Sequence, residues 1–206
     1  SLKTWLTPHV MQFLLDPVRE QKRRATVEQK RQRSGEPHTV HYFHQADDPY
    51  SQLLAQVLPQ LQARYALRIV VHLVSPPADS AAPERAKLQA YSLRDAQLLA
   101  AHYGLDWQAA NRASAPAATH PGETRTQADA LRTRWGHYLG ATLYYGGEWY
   151  WGIDRLHHLE TRLQASGAAQ PGVEGALFPP GEDLTAPVQV ANPPDIDFFF
   201  SLRSPY

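Results

Sequence analysis

Thr39-Val40-His41-Tyr42-Phe43-His44-Gln45-Ala46-Asp47-Asp48-Pro49-Tyr50 decides the fold. Its first six residues are β-branched, aromatic or imidazole, the composition of a strand, and a polar step follows them. Asp48 stands where an N-cap side chain accepts a backbone N–H, and Pro49 suits the first helical position. Leu53, Leu54, Val57, Leu58, Leu61 and Tyr65 then recur at helical spacing, so a strand feeds an amphipathic helix, bent or locally adjusted at Pro59. Leu67-Arg68-Ile69-Val70-Val71-His72-Leu73-Val74 is a nearly continuous apolar run of strand length, as expected of a buried parallel strand. Strand, helix and strand make one βαβ unit. The opening pattern returns without a gap as Ile196-Asp197-Phe198-Phe199-Phe200-Ser201-Leu202-Arg203-Ser204-Pro205-Tyr206. This repeat predicts two related domains, the first complete and the second present only as its opening strand.

Beyond the βαβ unit, Pro76-Pro77 and an Ala/Ser-rich stretch break the chain. A helix is expected over 84–103, with Leu88, Tyr91, Leu98 and Leu99 on or near one apolar face and Gly104 at its end. An Ala/Pro/Thr-rich loop leads to a further helix over 126–139. Ala141-Thr142-Leu143-Tyr144-Tyr145, Gly146-Gly147 and Glu148-Trp149-Tyr150-Trp151 read as a hairpin, because both turn residues accept positive φ. Asp154 is placed to cap a last helix over 155–163, with Leu156, Leu159 and Leu163 facing the core. The order is βαβ, a helical insertion, then ββα. Residues 167–194 hold six prolines and four glycines and read as an extended linker. Four segments follow: a helical extension over 1–38, made of a short amphipathic helix at 2–15 and a polar one at 18–32; a domain over 39–166; a linker over 167–195; and the second copy over 196–206.

With 206 residues and 43% hydrophobic content, the chain can bury the core of one ordinary domain with extensions. There is no cysteine, which excludes disulfides, thiolate metal sites and redox cycling through the protein's own thiols. No apolar run reaches membrane-spanning length and no clear leader is visible, so a soluble, cytoplasmic protein is expected. The net charge is zero but unevenly spread: residues 1–39 hold eight Lys or Arg against four Asp or Glu, the remainder twelve against sixteen. The basic run over 19–33 reads as a solvated helix face docked on the acidic body. It lacks the interleaved aromatics of single-strand binders, so nucleic acid is not the expected partner.

Two segments carry a resemblance to a known family. Asp197-Phe198-Phe199-Phe200-Ser201-Leu202-Arg203-Ser204-Pro205-Tyr206 resembles the first strand and Ser-Pro-Tyr step of the DsbA-like branch of the thioredoxin superfamily. Within that branch it is most similar to 2-hydroxychromene-2-carboxylate isomerases and kappa-class glutathione transferases. Residues 140–156, Gly-Ala-Thr-Leu-Tyr-Tyr-Gly-Gly-Glu-Trp-Tyr-Trp-Gly-Ile-Asp-Arg-Leu, resemble its closing hairpin and the Gly-x-Asp-Arg start of its last helix. The inserted helices, with Tyr91-Ser92-Leu93-Arg94-Asp95-Ala96 and Ala101-His102-Tyr103-Gly104-Leu105, are similar less specifically. Coverage is about 39–165.

The resemblance implies an α/β thioredoxin fold of DsbA-like type and bound glutathione as the thiol source. That thiolate would sit at the first helix's N-terminus, where the helix dipole and free N–H groups favour it. The family's activating serine falls on Asp48 in the first copy and on Ser204 in the second. A carboxylate at Asp48 would repel a thiolate, although it caps a helix better than serine. The family's cis-proline position falls on Ala141, where a cis bond would cost about 2.5–4 kcal/mol and a trans bond is expected. Asp154 and Arg155 would meet the glutathione end groups, and Tyr50, Ala141 and Thr142 complete the implied substrate-binding set beside the candidate catalytic Asp48, Ser51 and Ser204.

Other constellations are weaker. His41 and His44 sit three apart on a strand and point to opposite faces, and the adjacent His157 and His158 diverge on a helix, so no metal is expected. Ser51 lacks the Gly-x-Ser-x-Gly elbow of a hydrolase nucleophile. Trp149-Tyr150-Trp151 reads as core and sheet surface more than as a ligand platform. Three functions stay open: a glutathione-dependent isomerase or transferase whose chemistry lies at Ser204 in the second copy; a non-catalytic module that pairs with a second DsbA-like domain or forms a homodimer; and a basic arm that recruits an acidic partner or nucleic acid.

Overall fold

A computed structural model describes residues 16–180. The expected helix at 2–15, most of the linker's second half, the second copy and Ser204 lie outside the described residues. The elements are α1 (Pro17–Ser34), β1 (His38–Gln45), α2 (Pro49–Arg64), β2 (Leu67–Val74), α3 (Arg85–His102), α4 (Trp107–Arg112), α5 (Arg125–Arg134), β3 (Thr142–Tyr145), β4 (Glu148–Trp151) and α6 (Leu156–Ala165).

The fold is mixed α/β, with one four-stranded sheet in the order β2-β1-β3-β4. β1 pairs parallel with β2 from His38–Leu67 to Gln45–Val74, and antiparallel with β3 through Tyr42–Leu143. β1 is therefore interior to the sheet, and its alternating side chains bury on both faces. Val40 and Tyr42 enter the main core under α2, whereas Phe43 joins Val74 and Ala128 of α5 on the other face. α2 contributes Leu53, Leu54, Val57 and Leu61, all fully buried. Each is worth about 1.5–3 kcal/mol in area removed from water. The helix runs from Pro49 through Pro59 to Arg64 as one element.

Gly146 and Gly147 turn β3 into β4 with φ of 54° and 88°. The Arg162 guanidinium seals this turn, donating to the carbonyls of Tyr145 (2.8 Å) and Gly146 (2.9 Å). Glu148, next along, gathers Arg23 (3.0 Å), Arg24 (2.8 Å) and Arg162 (3.0 Å). α1 has no fully buried residue of its own, and the ion pairs to this carboxylate help hold the basic helix to the body. Burial alone would raise the Glu148 carboxyl; the three guanidiniums outweigh it and hold it below the ordinary range.

Four expectations are corrected. In α3 the buried residues are Ser92, Ala96 and Ala100, while Leu88, Tyr91 and Leu98 face outward, Leu98 with 63% of its surface accessible. Small side chains let α3 approach its neighbours closely, which leaves no room for the large ones on that side. α5 ends at Arg134 and not at 139, because Gly136 takes φ 91° and turns the chain; its start is fixed by a reciprocal capping box between Thr124 and Gln127. α6 begins at Leu156 with Arg155 at the cap position and no side-chain cap bond, so Asp154 does not cap it and instead faces Arg155 at 3.6 Å. The expected linker is packed over its first part. Ala168 and Phe178 are buried, Tyr65 bridges to Ala169, and Leu177 donates its N–H to Glu160 at 2.8 Å.

Candidate functional site

The N-terminus of α2 meets the loop before β3 through one hydroxyl. Asp48 Oδ2 accepts the backbone N–H of Ser51 (2.9 Å) and the Ser51 hydroxyl proton (2.7 Å). Ser51 Oγ in turn accepts the N–H groups of Gln45 (3.2 Å) and Ala141 (2.8 Å). One donor and two lone pairs are all that a serine hydroxyl offers, and Ser51 is fully buried. Its oxygen positions three segments and has no capacity left for a ligand. Burial pushes the Asp48 carboxyl up from its ordinary value, and the bonds from Ser51 oppose that shift.

The approach is tight. A Cβ on Gly140 would lie 2.6 Å from Cβ of Gln45 and 3.1 Å from Ser51 Oγ, so only glycine lets the loop come this close. Ala141 follows with φ 51°, the left-handed region, at a cost of about 1 kcal/mol for alanine. Its N–H is held by Ser51 Oγ and its carbonyl takes the Gly152 N–H at 2.9 Å, which fixes the strained residue from both sides. The peptide bonds among the described residues are all trans. Thr142 is buried and opens β3 opposite Phe43.

Beneath the helix start, Tyr42 donates its hydroxyl proton to the Ser51 carbonyl (2.8 Å). Its oxygen must then accept from His44 Nδ1 (2.8 Å), which makes His44 the Nδ1–H tautomer and leaves Nε2 a buried bare acceptor. Burial holds His44 neutral, its pKa pulled down to about 4.

A cavity of about 210 Å³ lies over this helix end, lined by Asp48, Tyr50, Gly140 and Trp151 and, from α3, Leu88 and Tyr91. Tyr50 donates its hydroxyl to Asp95 at 2.7 Å and stands edge-on to Trp151, ring centroids 5.8 Å apart. Burial and then Asp95 raise the Tyr50 phenol, which stays a neutral donor. The sequence-expected residues Asp48, Tyr50, Ser51, Ala141 and Thr142 thus converge, whereas Asp154 and Arg155 are half exposed and line no part of this cavity.

Gly140, Asp95, Leu88, Tyr91 and Trp151 complete the site and were not among the site residues expected from the sequence, which read Trp151 as core and sheet surface. The usable signal was strand alternation: Trp151 pairs with Thr142 in the register, on the rim side of the hairpin. His41 and His44 do diverge, His44 toward Tyr42 and His41 toward His72. Among the described residues no group of three or more His, Cys, Asp or Glu is placed to hold a metal, and no helix is long and apolar enough to cross a membrane. Compared with protein families, with curated proteins and with solved structures, the chain finds no match.

Proposed function

We propose that residues 39–166 form a DsbA-like thioredoxin-fold domain of the 2-hydroxychromene-2-carboxylate isomerase type that has given up glutathione chemistry and serves as a pairing module for a catalytic copy carrying Ser204. The element order βαβ, helical insertion, ββα and the sheet order β2-β1-β3-β4 are compatible with that fold. The observation behind the loss of chemistry is the Asp48 carboxylate bound to the Ser51 N–H and hydroxyl. It occupies, with a negative charge of its own, the place at the helix N-terminus that an incoming thiolate would take.

Two further observations support the reading. The cavity of about 210 Å³ is smaller than the roughly 300–1,000 Å³ of ordinary small-molecule sites. At position 141, where the family resemblance expects proline, the backbone has φ 51° and needs its N–H for Ser51; proline fixes φ near −65° and has no N–H. The outward apolar strip of α3, Leu88, Tyr91 and Leu98, is the face assigned to pairing. Calorimetric titration of the chain with glutathione tests the reading. No heat of binding is expected for the wild type, and weak millimolar binding for Asp48→Ser. Saturable millimolar or tighter binding to the wild type would overturn the loss of the site, and silence in Asp48→Ser would remove Asp48 as its cause.

A further inference from the structure

The opposite face of the sheet carries a chain of three titratable groups that the α2 site does not use. His72, 2% exposed on β2, is held through Nδ1 by the Glu123 carboxylate, 2.8 Å from Oε2 and 3.0 Å from Oε1. A carboxylate only accepts, so Nδ1 bears the proton and His72 Nε2 is an acceptor in the neutral ring. His41 Nδ1 lies 2.9 Å from that Nε2 and must donate to it. His41 Nε2 is then a bare lone pair. It has no partner among the described residues and is not among the buried unpartnered atoms, while His41 lines a groove of about 1050 Å³. Trp135, Tyr144 and Trp149 line the same groove. Trp135 stands edge-on to His41 at 4.9 Å and stacks on Tyr144 at 4.3 Å.

We propose that His41 is the open end of a proton relay, and that its groove binds a planar aromatic weak acid of the phenol class whose hydroxyl donates to His41 Nε2. The steps balance as one proton moving along two bonds. The ligand O–H gives its proton to His41 Nε2, His41 passes its Nδ1 proton to His72 Nε2, and His72 keeps its Nδ1 proton on Glu123. The products are a phenolate and a His72 imidazolium beside the Glu123 carboxylate, with His41 neutral again in the other tautomer. The aromatic walls provide the faces on which such a ring packs.

The charge has a reason to move inward. Burial first, then His72, Arg68 of β2 and His120 of the loop before α5, oppose a cation on His41 and pull its pKa down to about 4. His72 Nδ1, by contrast, lies 2.8 Å from the Glu123 carboxylate, a counter-ion in direct contact that His41 lacks. His41 is therefore a conduit and His72 the resting place of the proton.

The experiment titrates 4-nitrophenol into the intact chain, following the phenolate absorption band, with ¹⁵N spectra of the histidine rings taken alongside. The relay predicts a saturable phenolate band at a pH where the free probe is largely protonated, together with conversion of His72 to imidazolium. Glu123→Gln should retain binding but lower the ionised fraction about tenfold or more. His41→Phe should abolish the band. A probe that does not saturate, that binds undissociated with His72 still neutral, or that keeps its band in His41→Phe overturns the proposal. The wild-type ¹⁵N spectra decide it even if His41→Phe fails to fold.

Discussion

The two faces of β1 carry polar networks that differ in whether a free end reaches a groove: the bare His44 Nε2 is buried, and that of His41 is not. Over the α2 start, Ser51 Oγ has every bond it can make, to Asp48, Gln45 and Ala141. On the far face, the Glu123–His72–His41 chain ends in an acceptor that no group among the described residues fills. A saturated buried network fixes geometry; an open-ended one leaves a place for a ligand. The side that holds the sequence-expected site residues is thus the closed one, and the open side was not expected to matter.

The largest effect should come from breaking the closed side. Ser51→Ala strands the N–H groups of Gln45 and Ala141 and removes a donor from Asp48, and about 2–5 kcal/mol should be lost in urea unfolding. Glu123→Gln, at the open side, should cost about 1 kcal/mol or less because the relay is coupled to less packing. Equal losses would erase the contrast. Gly140→Ala forces a Cβ to within 2.6 Å of Gln45 Cβ, so about 1–3 kcal/mol of destabilisation is expected, read as a lowered Tm.

Acid should sharpen the comparison next. His44 and His41 both have folded values of about 4, below the unfolded value of about 6.5. Between these the unfolded chain binds protons that the folded one refuses, so stability falls as pH drops through that window and is fully present above it. The slope is about 1.4 kcal/mol per pH unit for each histidine at most. Unfolding curves from pH 7 to pH 4 should show it, and His44→Gln should flatten it while leaving the relay's share. The smallest effect belongs to Ala141→Gly. Relief of about 1 kcal/mol of left-handed strain is offset by the 0.5–1 kcal/mol entropic cost of glycine, so a Tm within a degree or two of wild type is expected.

How much could be read beforehand follows the range of the interactions. The β1–α2–β2 unit and the Gly-Gly hairpin rest on local period and turn chemistry, and both are where the sequence puts them. The Asp48 cap is likewise a contact three residues long. The bond from Ala141 to Ser51 spans 90 positions, and the His72–Glu123 contact spans 51, so neither has a local signature. The β1–β2 register nonetheless held a clue. His72 pairs with Phe43, and Phe43 shares its face with His41, so the two imidazoles had to meet on one side. α3 misled because helical periodicity marks large apolar residues, whereas close helix approach selected Ser92, Ala96 and Ala100 for burial.

On the proposed reading, Asp48 takes the place of an anion at the α2 N-terminus. That reading is tested most directly by the backbone amide resonance of Ser51 during a glutathione titration, run on wild type and Asp48→Ser side by side. The Ser51 amide should not move in the wild type and should shift saturably in the millimolar range in Asp48→Ser. A saturable shift in the wild type, with Asp48 in place, would contradict it.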